Sequence, residues 1–129
     1  MTSPHYLDGF VFPIKKIQIE EYQKAAMQVA KIWKDHGAID YLEFQSDGSH
    51  IEGTLSFDAM INANEDEQII FGWTLFPSKE VRDKAHKLVA EDPRMTEIVG
   101  PLVDPERMIF DAGRMVYGGF NTLVGNKDN

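Results

Sequence analysis

The chain has 129 residues, no cysteine, and 21 acidic against 13 basic side chains, for a net charge of −8. The missing cysteines exclude disulfides, thiolate nucleophiles, cysteine-ligated zinc and cysteine-ligated iron–sulfur clusters. Scattered lysine and arginine in an acidic chain argue against nucleic acid and anionic membranes as partners, because both need clustered positive charge.

The length suggests one domain, 1–129. At 43% hydrophobic and 26% charged the composition is that of an ordinary globular protein. The N-terminus lacks a basic segment followed by an apolar core, and no apolar run reaches membrane-spanning length. The expectation is a soluble cytoplasmic protein.

In chain order, 6–12 predicts a strand ended by Pro13. Segment 17–36 predicts an amphipathic helix, because Ile19, Tyr22, Ala26, Val29 and Trp33 recur at spacings of three and four. Gly37 follows as its cap. "IDYLEFQ" (39–45) alternates as a second strand, and Ser56 is placed to cap a short turn of helix at 58–61. "QIIFGWTLF" (68–76) is the strongest strand signal. Ser78 caps a helix over 79–91, whose apolar side is Val81, Ala85, Leu88 and Val89. Asp92-Pro93 stops it. A shorter helix is expected at 94–99, loop at 100–112, a last strand at 114–124 and a frayed tail after it.

The order β-α-β-β-α-β is that of a ferredoxin-like α+β sandwich with sheet order 4-1-3-2. A sheet covered on one side by helices should alternate apolar and polar. The third strand does not: Ile69, Phe71, Trp73 and Leu75 occupy one face, and Ile70, Gly72, Thr74 and Phe76 the other. Two helices cannot cover both faces, so the preferred expectation is a homodimer that buries the second. Gly9, Gly72 and Gly118 are expected to lie at adjacent central positions, forming a track that admits a close neighbour or hollows a pocket floor.

"YLDGFVFPI", "WKDHGAIDY", "SF" at 56–57, "IIFGWTLFPS" with "VRD" behind it, "DPRM" and "FDAGRMVYGGF" occur in order over nearly the whole chain. Together they resemble the bacterial family called domain of unknown function 1428, or YbaA-like. Lys79 after Pro-Ser, and "DAGRM" in place of "DGKRM", are local departures. The resemblance implies a dimeric α+β barrel, two ferredoxin-like subunits with facing sheets. It transfers no catalytic residue, and fold alone does not give function.

The candidates for chemistry therefore come from the residues. His36, at the end of the first helix, is a candidate acid or base; its plainer role is a cation at a helix C-terminus. Asp8, inside an apolar strand, is a pocket acid, half of an ion pair with Arg114 or another base, or an exposed residue at a strand edge. Tyr117 is a third proton-handling candidate. Trp33, Tyr41 and Trp73, with Tyr117, are candidates to line an aromatic pocket, against ordinary packing. Arg94 and Arg107 are placed to clamp an anion or to pin the 92–112 segment, and Arg114 joins the ligand-binding candidates. Asp83 and His86 share a helix face, but a single such pair does not make a metal site. No metal and no cofactor is assigned. Phosphate-binding, dinucleotide-binding and nucleophile-elbow motifs do not occur.

Two expectations stand. The first is a cofactor-free oxygenase or isomerase acting on a small hydrophobic or aromatic molecule. The second is a non-catalytic dimeric module that binds a small molecule or serves a stress response.

Overall fold

A computed structural model describes residues 5–125. The expectation for the tail past Gly125 lies outside them. Four strands form one antiparallel sheet: β1 (Tyr6–Lys15), β2 (Asp40–Gln45), β3 (Glu67–Phe76) and β4 (Val116–Asn121). Their spatial order is β2-β3-β1-β4, the order expected from the element sequence. The helices are α1 (Ile19–Asp35), α2 (Phe57–Ile61), α3 (Lys79–Glu91) and α4 (Pro93–Val99). The fold is α+β.

Local chemistry sets the element ends. Ser56 Oγ accepts from Ala59 N at 3.1 Å, and Ser78 Oγ accepts from Val81 N at 3.2 Å, so both caps are made as expected. Asp92 ends α3 and caps α4 by accepting from Arg94 N at 2.9 Å. Gly37 follows α1 with φ +117°, a conformation few side chains tolerate.

Three boundaries differ from expectation. β1 runs through Pro13 instead of stopping there. β4 flanks β1 only as far as Val11, so Pro13 sits where β1 has one neighbouring strand and a missing N–H is tolerated. β4 spans six residues, because Ala112–Arg114 forms a 3-10 turn and Leu123 and Val124 lie past the ladder, exposed. The 100–112 segment is no free loop. Leu102 and Ile109 are buried, and the Leu102 carbonyl accepts from Ile109 N and Phe110 N at 2.8 and 2.9 Å.

Helices α1, α3 and α4 cover one sheet face. Phe12, Ile14, Ile70, Leu102 and Ile109 form one core cluster there, with Tyr22 and Phe110 packed against it. Phe76, Ala38 and Ala85 form a second cluster beside Trp33 and Val81. The other face leaves Leu42, Phe44, Phe71, Val116 and Phe120 38–56% exposed. On it Phe57 of α2 packs edge-on against Phe71, ring centroids 5.6 Å apart.

The glycines do not form the expected single track. Gly9 pairs with Gly118 on the outer face, but Gly72 pairs with Phe10 and so faces the helices. One residue of register reverses the face, because strand side chains alternate. A Cβ on Gly72 would meet the Phe10 ring at 2.5 Å, and one on Gly119 the Tyr6 hydroxyl at 2.1 Å. Gly72 and Gly119 thus make room for aromatic side chains of β1.

Candidate functional site

A cleft of about 240 Å³ lies between the sheet and the helices. Its walls follow from the elements. The apolar stripe of α1 supplies Tyr22, Ala26, Val29 and Trp33. The helix-side residues of β1, β2 and β3 supply Asp8, Phe10, Phe12, Tyr41 and Thr74. Met95, Val99, Leu102 and Phe110, from α4 and the folded segment after it, close the far wall. The lining is mostly apolar and aromatic, with a few polar groups, as ligand pockets are.

The polar end is built on Asp8, whose exposure is 2%. Alternation along β1 turns Asp8 to the same side as Phe10 and Phe12. There it meets one turn of α3. Arg82 Nε donates to Asp8 Oδ1 at 3.0 Å, and His86 Nε2 lies 2.6 Å from Asp8 Oδ2. Tyr117 Oη lies 3.2 Å from the same His86 nitrogen and accepts from Arg82 at 3.0 Å. The Arg82 guanidinium also stands 5.2 Å over the Tyr6 ring. Trp33 packs edge-on against His86 at 5.3 Å. Burial, and then the Asp8 carboxylate, push the Tyr117 phenol up to about 12, with Arg82 opposing. Tyr117 is therefore neutral and able to donate.

A second carboxylate, Glu43, lies near the cleft. Tyr22 and Tyr41 each donate to one of its carboxylate oxygens at 2.5 Å. Burial raises the Glu43 carboxyl, and the two phenol bonds act against that rise.

The structure brings together Asp8, Tyr117, Trp33 and Tyr41 of the sequence candidates. The others lie elsewhere. His36 is paired with Asp92 at 2.8 Å at the end of α1, and is not part of the cleft wall. Trp73 is on the outer sheet face, 5.3 Å from Phe44 and 6.2 Å from Phe71. Arg94 bonds Asp92 and Asp35, and Arg107 bonds Glu21. Arg114 clamps Glu67 with two nitrogens, so the partner of Asp8 is Arg82 and not Arg114. Asp83 pairs with Arg82 and Lys79, away from His86's contact with Asp8. Among the described residues no cluster of three metal-ligating side chains occurs, and no helix is long and apolar enough to cross a membrane.

Sequence reasoning missed Arg82 and His86 as partners of Asp8, and Glu43 as the acceptor of two tyrosines. A signal for the first was present. Arg82 and His86 are four apart and each follows a residue of the apolar stripe, Val81 or Ala85. They therefore flank the face of α3 that meets the sheet.

The profile of the family described as "Protein of unknown function (DUF1428)" matches residues 5–112. The chain belongs to this family. It is 34% identical over 119 residues to the Escherichia coli K12 protein named "Uncharacterized protein YbaA", covering 92% of this chain and 97% of that one. The Shigella flexneri protein of the same name matches equally. Among solved structures, a nipsnap family protein with unknown function from Agrobacterium tumefaciens superposes with a TM-score of 0.61 at 15% identity, covering 95% and 91% of the two chains. A conserved Bacteroides thetaiotaomicron protein, titled a possible oxidoreductase, gives 0.54 at 16% identity, covering 95% and 100%. At these identities the likeness of this DUF1428 chain to solved structures is one of fold.

Proposed function

We propose that this DUF1428 protein binds a small aromatic or otherwise apolar molecule in the cleft and moves a proton on it. The observation that carries this is the Asp8–His86 contact of 2.6 Å at the polar end of an otherwise apolar space. An apolar cavity of roughly 150 Å³ holds benzene, so about 240 Å³ suits a molecule of one or two rings.

The chemistry follows from the donor inventory. Asp8 already accepts from Arg82, so the carboxylate needs the Nε2 proton of His86. That tautomer leaves Nδ1 as the unprotonated nitrogen and candidate base. Tyr117 is the candidate acid, and Arg82 holds both Asp8 and Tyr117 in place. Returning the proton to a different carbon of the ligand is an isomerisation. In the oxygenase variant the carbanion adds to dioxygen, forming a C–O bond, and the resulting peroxide anion takes a proton from Tyr117 to leave a hydroperoxide.

The same proposal includes assembly. The sheet order supports a ferredoxin-like sandwich, and the exposed Leu42, Phe44, Phe71, Val116 and Phe120 support a homodimer in which two sheets face each other as a dimeric α+β barrel.

The test uses 2-tetralone, a two-ring ketone with acidic C–H bonds. Saturable quenching of tryptophan fluorescence reports entry beside Trp33, and deuterium uptake from D₂O followed by NMR reports proton transfer. The expected result is quenching together with exchange accelerated over buffer, with the acceleration lost in His86→Ala. Quenching without accelerated exchange supports the alternative, a non-catalytic binding module. Neither effect, across a panel of one- and two-ring ketones and phenols, overturns the reading.

A further inference from the structure

A second concavity, about 270 Å³, lies between α1 and the edge strand β2. Tyr22 and Ala26 form the wall it shares with the main cleft. Ile19 and Ile70 give it apolar sides, and Gln23 and Gln45 bring amide groups to it. Its acid is Glu43, which contacts this space and is absent from the wall of the main cleft.

Glu43 is an unusual carboxylate in this chain. The other half-buried or buried acids of the structure carry a cation: Asp8 has Arg82, Glu67 has Arg114, and Asp92 has Arg94. Among the described residues no lysine, arginine or histidine pairs with Glu43, whose partners are the Tyr22 and Tyr41 phenols. Each phenol spends its one proton on a different oxygen of the carboxylate. Both carboxylate oxygens keep an unused acceptor site, and both phenol oxygens still accept. The site is thus acceptor-rich, carries no positive charge of its own, and has the Tyr22 ring in its wall beside the carboxylate. An ammonium group satisfies all three features, by ion pairing, by its several N–H donors and by attraction to the aromatic ring.

We propose that the groove between α1 and β2 is a second binding site, taking a small primary amine as its ammonium ion with the Glu43 carboxylate as counter-ion. Apolar Ile19 and Ile70 accept the carbon body of such a ligand, and Gln23 and Gln45 accept from its remaining N–H groups. This site stands independently of the proton chemistry assigned to the main cleft.

The experiment compares benzylamine, cationic at neutral pH, with benzyl alcohol, its neutral isostere, by NMR titration of the full chain. Benzylamine is expected to bind at least tenfold more tightly and to shift the Gln23 and Gln45 side-chain amides. Glu43→Gln is expected to abolish that preference. Glu97→Gln, which removes the same charge at an exposed site outside both clefts, is expected to leave it intact. Equal affinity for the two probes, shifts confined to the Trp33 region, or a preference that survives Glu43→Gln each overturn the proposal. The probe comparison on unmodified protein decides the matter even if the Glu43 variant does not fold.

Discussion

Asp8 Oδ2 and His86 Nε2 lie 2.6 Å apart although 78 positions separate them in the chain. β1 provides the carboxylate and α3 the imidazole, so the contact exists only when α3 is docked on the sheet. A carboxylate at 2% exposure in this position must be compensated, and Arg82 and His86 together compensate it.

Replacing Asp8 by asparagine keeps the shape and removes the charge. Arg82 and His86 then lose their shared acceptor. The expected cost is about 2 kcal/mol in urea unfolding, since hydrogen bonds to charged groups carry roughly that much when one partner is removed. Asp83→Asn, at an exposed site beside the same arginine, is the control and should change stability by less than about 0.5 kcal/mol. Equal effects of the two would contradict the role given to Asp8.

Acid should reveal the junction of α1 with α4. Arg94 first, then His36, hold the Asp92 carboxyl well below the usual carboxylate range. A carboxyl whose folded pKa is depressed stabilises the fold above its unfolded value, near pH 4, and loses that contribution as pH falls through the folded value. Asp92→Asn retains a capping side chain but not the charge. The wild-type advantage in melting temperature over this variant should be full at pH 5 and above. It should shrink steadily below pH 4. A gap that widens in acid would reverse the sign and refute the assignment.

Two neighbouring glycines should behave differently. A Cβ on Gly119 would sit 2.1 Å from the Tyr6 hydroxyl and 2.9 Å from its ring, and Tyr6 is buried. Gly119→Ala should therefore cost about 1–3 kcal/mol through overpacking. A Cβ on Gly118 would touch only the Phe120 ring, at 3.5 Å, an ordinary contact. Gly118→Ala should leave the stability of a protomer nearly unchanged. Thermal melts of the two variants at one concentration decide this.

The outer face makes a prediction about assembly. Phe44 and Phe120 are 49% and 56% exposed on it. If it is the dimer interface, a charge at either position should weaken association by at least about 2 kcal/mol, as at a central hot spot. Sedimentation at micromolar concentration should show a dimer for the wild type and a monomer for Phe120→Asp. A wild-type monomer would remove the barrel from the proposal.

The sequence by itself determined the elements, their order and the composition of the two sheet faces. Each rests on a local rule: the spacing of Tyr22, Ala26, Val29 and Trp33, the caps Ser56 and Ser78, and the run "QIIFGWTLF", apolar on both of its faces. It also placed Asp8 on an apolar strand and so marked it as a group needing a partner. Only the tertiary structure decided who that partner is. Arg82, His86 and Tyr117 reach Asp8 from distant segments, and a pairing across 78 positions leaves no local periodicity to read. Register was equally non-local. Shifting one residue sent Gly72 to the helix side while Gly9 and Gly118 stayed outside, because a strand reverses face at every step. His36, Trp73, Arg94 and Arg114 carried residue types fit for a site, but docking gave them Asp92, the outer face, Asp35 and Glu67 instead. Residue type limits what a side chain can do; packing across the chain decides what it meets.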